Sequence, residues 1–313
     1  MFFEDNNPWY LNDLAYDGQL YHYTDEVGYR GITDPDKNFD DNITLRLTRI
    51  DCLSKDPQER QHIQETVKAV AEQLKDEGRI TADFYEAVIS YQPTNAGCSM
   101  CITDTWNQET RNNVVSMTYG KVDYYIGCFS TDPDNEHIIK EFGSTRKIKF
   151  NRYFSLVDNG HMLQLFKING FSLPNYYTAC PPYTALHSSF LDYYMKKVLY
   201  QASEKESLIR KALLEISQSS SDFQLELEQM YYLYDGFFKA DSFEKEKEVR
   251  LLVKVPQTTH TVEKLAINHI YLTDSEDTPS KYLYLPISNR FLEEGSLAEI
   301  KREQEHLTSY RDD

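Results

Sequence analysis

The stretch Phe243-Glu244-Lys245-Glu246-Lys247-Glu248-Val249-Arg250-Leu251-Leu252-Val253-Lys254-Val255 carries alternating charge straight into an apolar run. In an extended chain alternate residues share a face. Val249, Leu251 and Val253 then point to a core, while Glu246, Glu248 and Arg250 point together to the opposite face. Two carboxylates at neighbouring same-face positions raise one another's pKa unless a cation intervenes. Arg250 is such a cation, and Lys239 is a second candidate. On spacing alone the row reads either as a Glu–Glu–Arg catalytic ledge or as a solvated charge run on an edge strand, which is the commoner arrangement.

Working outward, strands are predicted at 249–255, 267–272 and 282–285, with a terminal helix near 289–306. Three helices are predicted before the charged row. The first carries Phe190, Leu191, Tyr194, Met195 and Val198, the second spans about 204–217 and the third about 222–234. Upstream lie a core strand at 122–130, a short helix at 134–143, a strand candidate at 147–157 and one or two strands within 162–187. Residues 92–118 read as a long loop rich in Thr, Asn and Gly, and such loops are usually functional or mobile. Asp56 as N-cap, Pro57 and Glu59 start a helix whose stripe is Ile63, Val67, Val70, Ala71 and Leu74, with Gly78 as its stop. A further helix runs near 81–90, and Ile43, Leu45 and Leu47 alternate with polar residues in a half-buried strand. Tyr21–Thr24 is strand-like and Glu26–Ile32 a helical turn. The order is strands, helices, strands without βαβ alternation, which predicts one α+β domain over 1–313. Its parts are an arm at 1–20, a helical insertion at 188–236 and a C-terminal helix at 289–313.

The 313 residues hold 33 basic and 50 acidic side chains, a net charge of −17, with 40% hydrophobic residues and only 12 Gly and 11 Pro. This excludes a disordered or collagenous chain. It also argues against broad, sequence-blind nucleic-acid binding, which relies on Lys and Arg at phosphates. No apolar run approaches the roughly 18 residues of a membrane span, and Met1-Phe2-Phe3-Glu4-Asp5 does not open a secretory signal. Five cysteines, at 52, 98, 101, 128 and 180, are too few and of the wrong parity for a disulfide framework, which predicts a reducing, cytoplasmic setting. Cys98 and Cys101 form a lone C-x-x-C with no second pair and no closely spaced histidines. They read as two ordinary thiols in a loop, and no metal is predicted.

Several ordered pieces resemble the bacterial domain-of-unknown-function family numbered 2971. They are Tyr21-His22-Tyr23-Thr24, Ser54-Lys55-Asp56-Pro57-Gln58-Glu59, Cys128-Phe129-Ser130, Phe142-Gly143, Lys149-Phe150, Lys239 and Glu246-Lys247-Glu248-Val249-Arg250. The family usually has Asn where Lys55 stands, and Trp and Tyr where Ile139 and Phe142 stand. Its motif order is similar to that of ADP-ribosyltransferases: a His or Arg on a first strand, Ser/Thr on a second, and Glu-x-Glu at the start of a later one. That resemblance implies a mixed or antiparallel split-sheet core with helical insertions, NAD as co-substrate and no metal.

It also implies roles. Glu248 would stabilise the oxocarbenium character that develops when the nicotinamide–ribose bond breaks. Glu246 would orient or deprotonate the acceptor. Ser130 would brace Glu248. His22 would hydrogen-bond the adenosine ribose, Tyr23 would stack on nicotinamide, and Arg250 or Lys239 would meet the pyrophosphate. Thr24 and Thr131 complete the implied NAD contacts. The implied acceptor is a protein or nucleic acid, and the implied setting is a toxin or antiviral effector with no membrane attachment. Two other readings stand beside this one. A non-catalytic subunit of a defence complex would use the Tyr-rich surface and the helices over 188–236 to bind a protein partner or a second copy. A metal-dependent nuclease would need carboxylates converging from separate elements, and only one cluster is visible.

Overall fold

The computed structural model describes residues 14–34, 42–53, 59–91, 99–107, 112–120, 122–155, 192–218, 223–256, 271–273 and 281–309. The first strand, β1 (Leu20–Thr24), leads directly into α1 (Glu26–Thr33), because Asp25 caps that helix by accepting from the Gly28 N–H at 2.6 Å. Next come β2 (Asn42–Arg49), α2 (Glu59–Asp76), α3 (Ala82–Ser90), β3 (Ser99–Asn107), β4 (Asn112–Gly120) and β5 (Val122–Ser130). Then follow α4 (Glu136–Phe142), β6 (Arg146–Phe150), α5 (Arg152–Ser155), β7 (Asp192–Lys197), α6 (Ala202–Gln218) and α7 (Phe223–Phe237). A 3-10 turn (Asp241–Glu246) leads into β8 (Glu248–Pro256), and β9 (Tyr271–Thr273), β10 (Tyr282–Ser288) and α8 (Glu294–Ser309) close the described chain.

The architecture is α+β, built on a curled eight-stranded antiparallel sheet. One path through it runs β6-β1-β5-β2-β10-β9, and β8 joins β5 to β7. The centre is β5. One of its edges pairs β8 along its whole length, from Val122↔Pro256 to Ser130↔Glu248. The other edge is shared. It meets β2 at Tyr125 and Ile126, and β1 only at Ser130. Between those points β1 and β2 diverge, so the sheet is split. The Cys128 carbonyl in the gap is met by Nδ1 of His22 at 3.0 Å. A strand carbonyl is an obligatory acceptor, and the imidazole supplies a donor where the ladder does not.

Alternation along the strands feeds two cores. Val249, Leu251 and Val253 of β8, with Tyr125 and Phe129 of β5, enter one core together with Ile43, Leu45 and Leu47 of β2. Phe129, Phe150, Phe154 and Phe291 form an aromatic cluster within it, with Phe150 and Phe154 stacked at 4.4 Å. Tyr124, Ile126 and Leu252 face the other way, onto α2, α6 and α7. The α2 stripe Ile63, Val67, Val70, Ala71 and Leu74 is buried as its spacing predicts. Its helix ends at Gly78 (φ 67°), with Arg79 N–H donating to the Leu74 carbonyl at 2.8 Å and Gly78 N–H to Lys75 at 2.9 Å. Leu208, Ile209, Ala212, Leu213 and Ile216 of α6, with Leu227, Met230, Tyr231 and Tyr234 of α7, are spent inside this core. Among the described residues no helix is long and apolar enough to cross a membrane.

Several expected elements differ. Within 92–118 lies an antiparallel hairpin of β3 and β4, not a loop, and Cys101 is on β3 opposite Thr118. The polar composition hid a run of β-branched and aromatic residues. The first of the three predicted helices is β7, paired with β8. Adjacent Tyr194 and Met195 enter opposite cores, so the run shows no clean apolar–polar alternation and its period is ambiguous. The strand expected over 147–157 stops at Phe150 and passes into α5, and the terminal helix is preceded by a separate 3-10 turn at Asn289–Phe291. The Asp56-Pro57 cap, Cys98, Cys180, the strands within 162–187 and most of the N-terminal arm lie outside the described residues.

Phe154→Ala should lower unfolding free energy by about 3–5 kcal/mol, because the ring is fully buried in the aromatic cluster. Urea denaturation checks this, and a loss under about 1 kcal/mol would contradict the packing described.

Candidate active site

The carboxyl end of β5, the start of β8 and the split between β1 and β2 enclose a cavity of about 390 Å³. Tyr21 and Tyr23 of β1, Arg46 and Thr48 of β2, and Cys128 and Ser130 of β5 line it. Glu246, Glu248, Lys239 and Arg250 are also in its lining, while Phe243, Phe142, Lys281 and Tyr282 supply further aromatic and cationic wall.

The charged row is neither solvated nor on an edge. β8 lies between β5 and β7. Glu246 and Glu248 are each 5% exposed and Arg250 2%, whereas Glu244, Lys245 and Lys247 are exposed. The row is also not a continuous strand. Glu246 ends the 3-10 turn, and Lys247 adopts a left-handed conformation (φ 47°) before β8 begins at Glu248. The chain kinks between the two glutamates, yet both meet the same ammonium.

Lys239 Nζ sits 2.6 Å from Glu246 Oε2 and 3.2 Å from Glu248 Oε2, and 4.6 Å from the Phe243 ring centroid. Arg250 grips Glu248 side-on, Nε to Oε1 at 3.0 Å and Nη2 to Oε2 at 3.3 Å. Its Nη1 donates to the Gly236 carbonyl at 2.9 Å, on the last turn of α7. That carbonyl has no partner within its own helix, and a cation suits it. A Cβ on Gly236 would lie 3.1 and 3.2 Å from the Leu252 methyls, so only glycine lets α7 approach β8 this closely without displacing that side chain. The Glu248 N–H donates to the Tyr200 hydroxyl at 3.0 Å, and the Cys128 thiol hydrogen-bonds its carboxylate.

The two carboxylates therefore differ in kind. Burial opposes ionisation of Glu248, but Arg250, Lys239 and the Cys128 thiol overcome it and hold the carboxyl at about 2. Burial and the charge of Glu248 push Glu246 above the ordinary range, and Lys239 offsets this only in part. Glu246 Oε1 is buried and has no hydrogen-bond partner. Burial works against the Lys239 ammonium, yet Glu248, Cys128 and Glu246 together outweigh it and the group titrates above its usual value. Burial and Glu248 raise the Cys128 thiol well above its ordinary range, so it stays a thiol and a poor nucleophile.

The other expected residues divide. Tyr23 faces the cavity, and its hydroxyl donates to the Asp132 carbonyl at 2.7 Å. Ser130 also lines it, but its hydroxyl donates to the Glu246 main-chain carbonyl at 2.8 Å rather than to the Glu248 carboxylate. Arg250 is committed to Glu248 and Gly236, which makes it a brace for Glu248. His22 alternates away from Tyr21 and Tyr23, lies 5.6 Å from the Phe129 ring, and is held neutral by burial. Thr24 and Thr131 are not in the cavity lining. Thr131 is half-buried and donates N–H to the Lys247 carbonyl at 3.0 Å. Reading the sequence missed Arg46, Lys281, Tyr200, Cys128 and Asn135 as site residues. Arg46 was legible as the polar face of β2, while nothing local marks Tyr200 or Asn135.

A group titrating lower in the folded than in the unfolded chain stabilises above its unfolded value and loses that contribution as pH falls. Glu248 should contribute on the order of 3 kcal/mol at neutral pH, lost between about pH 4.5 and 2. Glu246 has the opposite sign: its protonated form favours folding, and that contribution fades as pH rises above the ordinary glutamate value. Urea midpoints across pH should therefore show a steep acid loss that Glu248→Gln flattens. At pH 7 Glu248→Gln should cost about 3–5 kcal/mol by stranding Arg250, and Glu246→Gln less than about 1 kcal/mol. Equal costs would contradict the asymmetry. The chain matches no family model, no curated protein and no solved structure.

Proposed function

We propose that the cavity is the active site of an NAD-cleaving enzyme of the ADP-ribosyltransferase type, on a split-sheet fold resembling theirs. The observation that carries this reading is the pair of buried glutamates at one end of a central strand, pushed to opposite protonation behaviour. Such a division assigns acid–base roles. Glu248 supplies a fixed negative charge, and Glu246 supplies a carboxyl with a free oxygen and a raised pKa.

The cavity walls match the rest of the substrate. Tyr21, Tyr23, Phe243 and Tyr282 offer ring faces for nicotinamide or adenine, and Arg46 and Lys281 offer cations for pyrophosphate, Lys239 being committed to the two glutamates. In the reaction the C1′–N bond breaks and its electron pair leaves with nicotinamide. Positive charge developing on the ribose is stabilised by the Glu248 carboxylate. A lone pair of the acceptor, a macromolecular side chain or base or else water, forms the new bond to C1′, and its proton passes to Glu246. A toxin or phage-defence effector is the setting this chemistry fits. The partner-binding alternative gains no support from α6 and α7, whose apolar stripes are packed inside the chain.

Glu246→Gln is the cleaner test, because it strands no buried cation. Incubation with NAD should release nicotinamide from the wild-type chain, and the variant should lose about 10²–10⁴-fold of that rate with an unchanged melting temperature. Equal release by both would remove Glu246 from the mechanism. No release by the wild type, alone or with cell extract as a source of acceptor, would overturn the activity.

A further inference from the structure

Asn135 makes more directed hydrogen bonds than a helix cap requires. Its Oδ1 caps α4 by accepting from the Ile138 N–H at 3.0 Å. Its Nδ2 faces three acceptors: the Lys245 carbonyl at 2.9 Å, the Glu246 carbonyl at 3.1 Å and Ser130 Oγ at 3.3 Å. An amide nitrogen has two hydrogens, so the three share them. Its own N–H donates to the Tyr23 hydroxyl at 3.0 Å. Asn135 is 3% exposed, and none of these partners is adjacent to it in sequence except through the loop from Ser130.

α4 itself has little else to hold it. The helix buries no residue, Ile139 and Phe142 are 43% and 38% exposed, and Gly143 (φ 62°) ends it. Ile138 and Phe142 nonetheless form part of the cavity wall. One side chain thus holds both that wall and the turn that presents Glu246.

We propose that Asn135 is a positioning residue: it fixes the 3-10 turn that places the Glu246 carboxyl in the cavity and ties that turn to the α4 wall. Without its amide, the Lys245 carbonyl loses its donor and seeks water, and the Glu246 carbonyl keeps only the Ser130 hydroxyl. The turn then loosens and hydrates the Glu246 carboxyl. The groups facing that carboxyl are Glu248 and Arg250 from β8, Lys239 from the segment after α7, and Tyr200 ahead of α6. Asn135 contacts none of them, so any change at Glu246 comes through the turn.

The inference concerns geometry and requires no NAD, so it fails separately from the proposed activity. The test is carboxyl ¹³C NMR titration of the full chain, with Glu246 assigned by Glu246→Gln. Asn135→Ser keeps a good helix cap but lacks the reach and the second hydrogen of the amide. The Glu246 midpoint should fall toward the ordinary glutamate value. Amides of Lys245–Lys247 should exchange faster, while Lys140→Ala on the outer face of α4 changes neither. A wild-type midpoint in Asn135→Ser overturns the proposal. If that variant does not fold, Tyr23→Phe reads the same linkage. It removes the hydroxyl that holds Asn135, and it should shift Glu246 the same way by a smaller amount. An unshifted midpoint there overturns the proposal as well.

Discussion

The ammonium of Lys239, lodged between two buried carboxylates, is the interaction on which the rest of the site depends. Two carboxylates this close cannot both remain ionised in a protein interior without a cation between them. With Arg250 clamped on Glu248, two cations balance two anions and no net charge is left buried. Removing Glu248 strands Arg250, which costs far more than the pair contributes, whereas removing Glu246 leaves Lys239 paired to Glu248. The cluster also joins elements distant in sequence. Arg250 ties β8 to the last turn of α7 through Gly236, and Lys239 ties the segment after that helix to both glutamates. The arrangement is a structural tie and a chemical device at once, since the same cations that hold Glu248 ionised leave Glu246 only partly compensated.

The split in the sheet gives this cluster its access. If β1 or β2 followed β5 throughout, the edge of β5 beside Cys128 would be paired and the sheet would have no gap there. They diverge instead, with β1 leaving toward β6 and β2 toward β10. His22 repairs the backbone in the gap, and Tyr21 and Tyr23, on the other face of the same short strand, turn into the opening. Alternation along five residues thus divides structural work from ligand-facing work.

Much of this was legible in the sequence. The α2 stripe, the β2 alternation and the Val249-Leu251-Val253 face follow from periodicity, and the structure has them. Glu246 meets Glu248 through the kink at Lys247 and not through strand alternation. Burial of the charged row did not follow, because periodicity reports which residues share a face and not what covers it. The covering elements come from residues 188–236, where β7 was read as helix. Its adjacent Tyr194 and Met195 enter opposite cores and its charged residues fall at both ends, so β7 lacks the apolar–polar alternation that marks a strand. Lys239 was suspected as a cation, but its place between the glutamates depends on the turn after α7. Ser130 and His22 are near the site for reasons of backbone support, which no motif encodes. Asn135 and Tyr200 act on main-chain groups far away in sequence, and only tertiary structure brings those together.

The most direct test is to add NAD to the chain carrying ¹³C-labelled glutamate carboxyls and follow their resonances. The account predicts that the Glu246 and Glu248 signals move first and saturably, while glutamates on the outer faces of α2 and α8 stay in place. Saturable movement elsewhere with both cavity glutamates still, or no movement at any NAD concentration, would contradict it.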